Sequence, residues 1–279
     1  VDDWQTAMNW GRPENNGFRS VWNAGLDVSE SIEAYSFGNY ADTYGEYSFF
    51  LRDTGNKALN AVPLDPTDPT AGDFSWSDTY PLGFTPRLEG HGNDFSSVFG
   101  IRGKGIAGIA LNYDFSTSYG THYLHYYLRN SLNSSWGPYS PHDFKVGDLQ
   151  QEETNWNADF VYPLGQLNIA FGAEWREEKY IMYEGQKESW MAGPWAKVHT
   201  LAYDSLGTGT MVNYGYAAPE LTVSGMPGTS PDEAGEFARQ NTAFYTDVEY
   251  NINDLLVQAA ARFEDFSDFG STSNFKICL

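Results

Sequence analysis

The chain has 279 residues and a formal charge of −21, from 37 acidic against 16 basic side chains. That acidity argues against a nucleic-acid backbone as partner and for solvated acidic loops or a cationic partner. Cys278, the single cysteine, excludes an intrachain disulfide and a cysteine-built metal site. No run approaches the roughly 18 apolar residues of a membrane helix, which leaves open strands that span with about 9 to 11 residues each. One domain is expected, because all-β barrels and sandwiches reach this length as single units. The 16% aromatic residues and 28 glycines suit strands and tight turns. Val1, with no methionine and no charged-then-apolar leader before it, predicts a processed chain or a fragment.

In chain order, alternation of apolar and polar residues predicts strands over Phe18–Val28, Ile32–Phe50, Phe95–Gly103, Ala107–Arg129, Thr154–Tyr162, Gln166–Glu178, Ala243–Tyr250 and Leu255–Glu264. Asn274–Leu279 opens a ninth. Tight turns are expected at Ser29–Ser31, Lys104–Ile106, Pro163–Gly165 and Asn251–Asp254, and long polar connections at Leu51–Asn93, Asn130–Glu152, Lys179–Gln240 and, shorter, Asp265–Thr272. Tight and long connections then alternate. An up-and-down membrane barrel does this, with turns on one side of the bilayer and loops on the other. Ala107–Arg129, about 23 residues, exceeds any bilayer and predicts hairpins that project beyond it.

Within the strands the two faces can be sorted. "LNIAFGAEWREEKY" puts Leu167, Ile169, Phe171, Ala173 and Trp175 on one side and Asn168, Gly172, Glu174, Arg176 and Glu178 on the other. Trp156, Ala158 and Phe160 oppose Asn155, Asn157 and Asp159; Leu255, Val257, Ala259, Ala261 and Phe263 oppose Gln258, Arg262 and Glu264; Ile109, Leu111, Tyr113 and Phe115 oppose Asn112, Asp114 and Ser116. A soluble sandwich with an oily core and an ionic surface gives the same periodicity. Loop parity favours the barrel, in which the ionic face turns inward because a cation on the lipid face costs roughly 2–4 kcal/mol. The lumen-facing candidates are Asn157, Asp159, Glu174, Arg176, Asp247, Glu249, Arg262 and Glu264; Trp136, Tyr183, Trp190 and Trp195 are candidate ligand contacts in the loops.

Other motifs have duller readings. "GKGIAG", Gly103–Gly108, fits a dinucleotide fingerprint but precedes a strand, so a hairpin turn is expected. His122 and His125 point to opposite faces of a strand. Glu174 with Glu178, or Asp247 with Glu249, resembles a glycosidase pair, but regular spacing of lumen acids explains both. "DPTDPT", Asp65–Thr70, fits either a hard cation or proline turns, and "NSS" at Asn133 is a glycosylation signal only in a eukaryotic secretory setting. No catalytic, cofactor-binding or metal residues are assigned.

Seven ordered stretches resemble the barrel of TonB-dependent outer-membrane receptors of Gram-negative bacteria. They are "WGRPE" at Trp10–Glu14, "IEAYSFGNYA" at Ile32–Ala41, "YPLGFTPRLEGHGNDFSSVFGIRG" at Tyr80–Gly103, "RNSLNSSWGPYSPHDFKVGDLQQEETNWNADF" at Arg129–Phe160, the stretch from Leu167, "GMPGTSPDEAGEFARQNTAFYTDVEYNI" at Gly225–Ile252, and "ARFEDFSDFGSTSNFK" at Ala261–Lys276. The resemblance implies a barrel of 22 strands around a plug, powered through TonB, importing a metal chelate, a vitamin or an oligosaccharide. Outer-membrane lipid, TonB, the plug and that ligand would be the partners. This chain shows about eight strands and no plug, so it is read as a fragment of an antiparallel transmembrane β-barrel, residues 1–279 being its partial barrel domain. Such a fragment is not expected to insert stably alone, since open edges in hydrocarbon leave backbone groups unsatisfied. A small eight-stranded outer-membrane barrel with binding loops, and a secreted all-β carbohydrate-binding module or hydrolase, are the alternatives.

Overall fold

The computed structural model describes residues 6–8, 13–106, 108–197, 199–203, 211–215, 220–253 and 255–278. The strands are β1 Glu14–Ser29, β2 Ile32–Ser48, β3 Val62–Asp65, β4 Asp68–Phe74, β5 Arg87–Ile106, β6 Ile109–Arg129, β7 Phe144–Leu164, β8 Leu167–Met182, β9 His199–Tyr203, β10 Met211–Gly215, β11 Gly235–Ile252, β12 Leu255–Phe266 and β13 Gly270–Cys278. The chain is all-β. Nine of these strands form one antiparallel sheet in the order β1-β2-β5-β6-β7-β8-β11-β12-β13, while β3 with β4 and β9 with β10 make separate hairpins within the long connections. In this sheet β1 pairs with β2 and β13 with β12, each on one side only.

The period-two segments became strands, and the ladders run further than the alternation does. β5 begins at Arg87 rather than Phe95, β7 at Phe144 rather than Thr154, and β11 at Gly235 rather than Ala243. "RLEGHGND" mixes charges and glycines, yet Glu46↔Glu89 and Thr43↔Gly92 keep it in register with β2. Backbone pairing to an already formed neighbour needs no alternation. The connection expected over Asp265–Thr272 is instead a tight turn at residues 267–269 between β12 and β13, so tight and long connections do not alternate throughout. Ser267 N–H donates to the Gln240 carbonyl at 2.9 Å, and Ser271 Oγ to Asp265 at 2.7 Å, which closes this turn against β11. The other connections do segregate. Those at 49–86, 130–143 and 183–234 lie at one end of the sheet, and those at 30–31, 107–108, 165–166 and 253–254 at the other. In the second of these turns Gly105 and Gly108 have φ of 79° and 83°, a backbone that glycine adopts without strain, so "GKGIAG" is a hairpin.

The buried apolar core lies at the long-connection end. Ala58, Leu59, Trp76, Tyr80, Phe84 and Leu132 form one cluster; Leu128, Phe144, Val146 and Val223 form a second, supported by Leu88 and Tyr126; Val62 packs with Trp195. Below it the sheet is a single layer. Phe99, Phe115, Trp156, Phe244, Phe263 and Phe275 stand exposed on it. Burying such a side chain is worth about 1.5–3 kcal/mol, so a row left open in this way is a large unmet gain in water.

Candidate functional site

Register decides which side chains share a face, because directly paired residues and i, i+2 neighbours lie on the same side. Asn157 pairs with Glu174, Glu174 with Ala243, and Ala243 with Glu264. One step along, Asp159 pairs with Gly172, Gly172 with Tyr245, and Tyr245 with Arg262. Arg176 lies opposite Asn155 on the same side, and Asp247 and Glu249 follow Tyr245 at alternate positions, with Glu249 facing Asn168 and Gln258. All eight residues singled out as lumen candidates therefore occupy one face of the sheet, here termed the ionic face.

The charges on that face are compensated locally. Arg262 donates to Glu174 at 3.2 Å and to Glu264 at 3.1 Å. Arg239 reaches Glu178 at 2.5 Å, and Arg176 reaches it at 3.5 Å. Gln258 donates to Asp247 at 2.7 Å, and Asn168 and Gln258 to Glu249 at 3.4 Å each. The two acidic pairs that suggested glycoside chemistry thus sit among arginine and amide donors. His122 contacts Asp94 at 2.5 Å and His125 contacts Asp148 at 3.1 Å, so the two histidines have separate partners. Among the described residues no group of three His, Cys, Asp or Glu is arranged to hold a metal.

Two tyrosines on the ionic face were missed in the sequence. Tyr35 of β2 donates to Asp114 of β6 at 2.7 Å, and Tyr245 of β11 to Asp159 of β7 at 2.5 Å. In both cases the ring crosses an intervening strand at a glycine, Gly100 or Gly172, which is its direct register partner. A signal was present: tyrosine on one strand and, on the next, a glycine among the polar positions of the alternation.

The other face is apolar, with oblique borders. Its first charged or amide side chains toward the long connections are Asp42 on β2 and Asn93 on β5, which pair directly. On β7 it is Glu152, paired with Thr121 and through it level with Phe95, two residues nearer the tight turns. On β8 it is Glu177, level with Thr154 and two residues nearer again; Gln240 on β11 is level with Glu177; Asp265 on β12 is level with Thr242, a further two residues nearer. The tight-turn end drifts the same way. β5 runs three residues past Gly103, the partner of Ile32, and β11 runs two past Tyr250, the partner of Leu167. Both borders shift by about one residue per strand.

At the long-connection end the loops are tied to one another. Tyr80 shares a 2.6 Å hydrogen bond with His142, Arg52 donates to Ser224 at 2.9 Å, and Trp195 Nε1 donates to the Pro63 carbonyl at 2.7 Å. Asn133 is fully buried: its Oδ1 accepts from Ser135, and its Nδ2 donates to the carbonyls of Glu188 at 2.7 Å and Met191 at 3.2 Å. That leaves no room for a glycan at "NSS". Burial, with the Asp143 carboxylate nearby, pushes the Tyr80 hydroxyl well above its ordinary range. Asp65 accepts from the Thr67 hydroxyl and amide, which lower its carboxyl, and the "DPTDPT" stretch forms the β3–β4 hairpin.

The four aromatic ligand candidates all have partners within the protein. Trp136 Nε1 donates to Met191 at 3.0 Å under the Lys187 ammonium, Trp190 Nε1 donates to Gly185 at 3.2 Å, and Trp195 is buried. Tyr183 donates to Gln150 at 2.6 Å and lies 5.6 Å from the Tyr123 ring. Tyr139 and Phe50 are the strongly exposed aromatics of these connections among the described residues. No helix among them is long and apolar enough to cross a membrane, which says nothing of strands. No protein-family model and no curated protein matches this chain.

Proposed function

We propose that this sheet is part of the barrel of a TonB-dependent outer-membrane receptor of a Gram-negative bacterium, which takes up a scarce ligand and carries out no catalysis. Its apolar face meets lipid, its ionic face lines the lumen and contacts the plug, and its tied loops stand outside the bilayer. Further strands continue the open sides of β1 and β13, since unpaired backbone in hydrocarbon costs several kcal/mol per group.

The observation that carries the membrane reading is the band on the apolar face. From Ile109 to Tyr119 its outer residues on β6 span ten positions, which at about 3.3 Å per residue and a tilt near 40° cover about 25 Å, the height of a barrel's lipid belt. A drift of one residue per strand over a spacing of about 4.8 Å gives a tilt of about 35°, in the range of barrel strands. A sandwich core has no reason for parallel, slanted borders. The receptor and transport reading rests on the ordered resemblance and on the ionic face.

The test is reconstitution. The purified chain is expected to need detergent micelles to fold, while its open sides keep it from inserting stably into vesicles on its own. A folded, cooperative monomer in plain buffer would refute it.

A further inference from the structure

The ionic face carries a groove of about 420 Å³ at its long-connection half, on β2, β5, β6 and β7. Its floor is Asn39, Asp94, Ser96, Ser118, His122, Gln151, Glu153 and Asn155. Internal bonds fix these groups: Ser96 Oγ to Asn39 Oδ1 at 2.5 Å, and Asn155 Nδ2 to Ser118 at 3.0 Å and to Glu153 at 2.7 Å. They leave the Asn39 amino group and the Ser118 hydroxyl hydrogen as donors, and the Asn155 carbonyl and the Glu153 carboxylate as acceptors. Mixed donors and acceptors of this kind match hydroxyl groups, each of which both gives and accepts a hydrogen bond.

Aromatic rings flank the floor. Phe37 pairs with Val98 at one end; at the other Tyr180 pairs with Gln151 and Phe237 with Tyr180. These three rings are 46%, 42% and 59% exposed, with Phe37 stacked beside Tyr35 at 6.3 Å, so each keeps surface available to a ligand. From β2 to β11 the run covers five strand spacings, about 24 Å, which suits an oligomer rather than one small ring. Charge argues the same way. The nearby arginines, Arg176 and Arg239, are held by Glu178, and Asp94 and Glu153 would repel an anion.

We infer that this groove, on the transport reading given above, binds a neutral, hydroxyl-rich oligomer such as a linear oligosaccharide, with Phe37, Tyr180 and Phe237 as stacking platforms and Asn39, Ser118 and Asn155 as hydroxyl partners. The reading excludes an anionic metal chelate from this track.

Isothermal calorimetry on the full chain folded in detergent micelles tests it, with maltohexaose and cellohexaose as neutral probes and ferric citrate as the anionic one. A hexasaccharide is expected to bind saturably, with an affinity insensitive to salt that falls tenfold or more in Phe37→Ala, Phe237→Ala and Asn155→Ala. Because Phe37 and Phe237 are exposed, their variants keep the fold, which the β-sheet circular dichroism verifies. Absence of saccharide binding by folded protein, binding that all three variants leave unchanged, or ferric citrate binding lost in Asn155→Ala would overturn the inference. The membrane reading fails separately, through folding without detergent.

Discussion

Asp114 of β6 lies directly opposite Asp159 of β7, and each carboxylate accepts a hydroxyl from a tyrosine two strands away. Like charges placed directly opposite destabilise a sheet, and hydrogen bonds to charged groups contribute about 1.5–3 kcal/mol each, enough to offset the repulsion. The arrangement is close to a mirror, with Tyr35, Gly100 and Asp114 on one side and Asp159, Gly172 and Tyr245 on the other, except that Asp159 pairs directly with Gly172 while Asp114 lies two residues from Ser116, the partner of Gly100.

Adding a methyl group at Gly172 or Gly100 places carbon inside the tyrosine ring that covers it. Gly172→Ala is expected to lower stability by about 1–3 kcal/mol through overpacking. Tyr245→Phe is expected to cost a similar amount, and a cycle with Asp159→Asn to show the two losses coupled rather than additive. Urea titration in micelles reads both, and additivity would break the proposed mirror.

Adjacent positions on β7 separate the two faces. Ala158→Arg puts a cation in the apolar band and is expected to cost about 2–4 kcal/mol of stability in detergent micelles, while Asn157→Arg, one residue away on the ionic face, costs little. Equal costs for the two would contradict the assignment of lipid and water to these faces.

Asn133 joins the 130–143 connection to the segment around Glu188 and Met191. Asn133→Ala leaves buried donors and acceptors unpaired, at about 1–3 kcal/mol each. The expected result is faster limited proteolysis within residues 183–197, with the sheet intact; an unchanged cleavage rate would show that the loops do not depend on this link.

Tyr80 provides a pH test. Its hydroxyl titrates higher when folded than the ordinary 10.0, so its contribution to stability is complete below pH 10 and is lost as pH rises further. Protease protection of residues 57–86 is expected to decline above pH 10. Tyr80→Phe, though it gives up the bond to His142, should flatten that alkaline decline; a decline as steep as in the parent protein would assign it elsewhere.

The sheet's two faces were legible in the sequence because side-chain alternation is local, and Trp156, Phe171 or Glu174 reveal it without a neighbour. Strand ends were less so. Residues 87–94 and 144–153 lie past the apolar band, where pairing is fixed by the adjoining ladder and polar residues are tolerated on both sides. The loop core was least legible. Trp195 looks like a ligand platform until its ring is found buried beside Val62, 133 positions earlier in the chain, and no local pattern reports a partner that far away. Tyr35 and Tyr245 were hidden for the same reason, since their acceptors lie two strands off.

The one-residue drift per strand has a topological consequence. If the sheet is carried round a full circuit, its hydrogen-bonded rows trace a screw instead of rings, and the last strand meets the first displaced by about as many residues as there are strands. Strand number and displacement then cannot change separately. A single residue inserted into β8 would do more than turn its side chains over, because it would alter the pitch, and the mismatch would be felt at the seam however far away the seam lies.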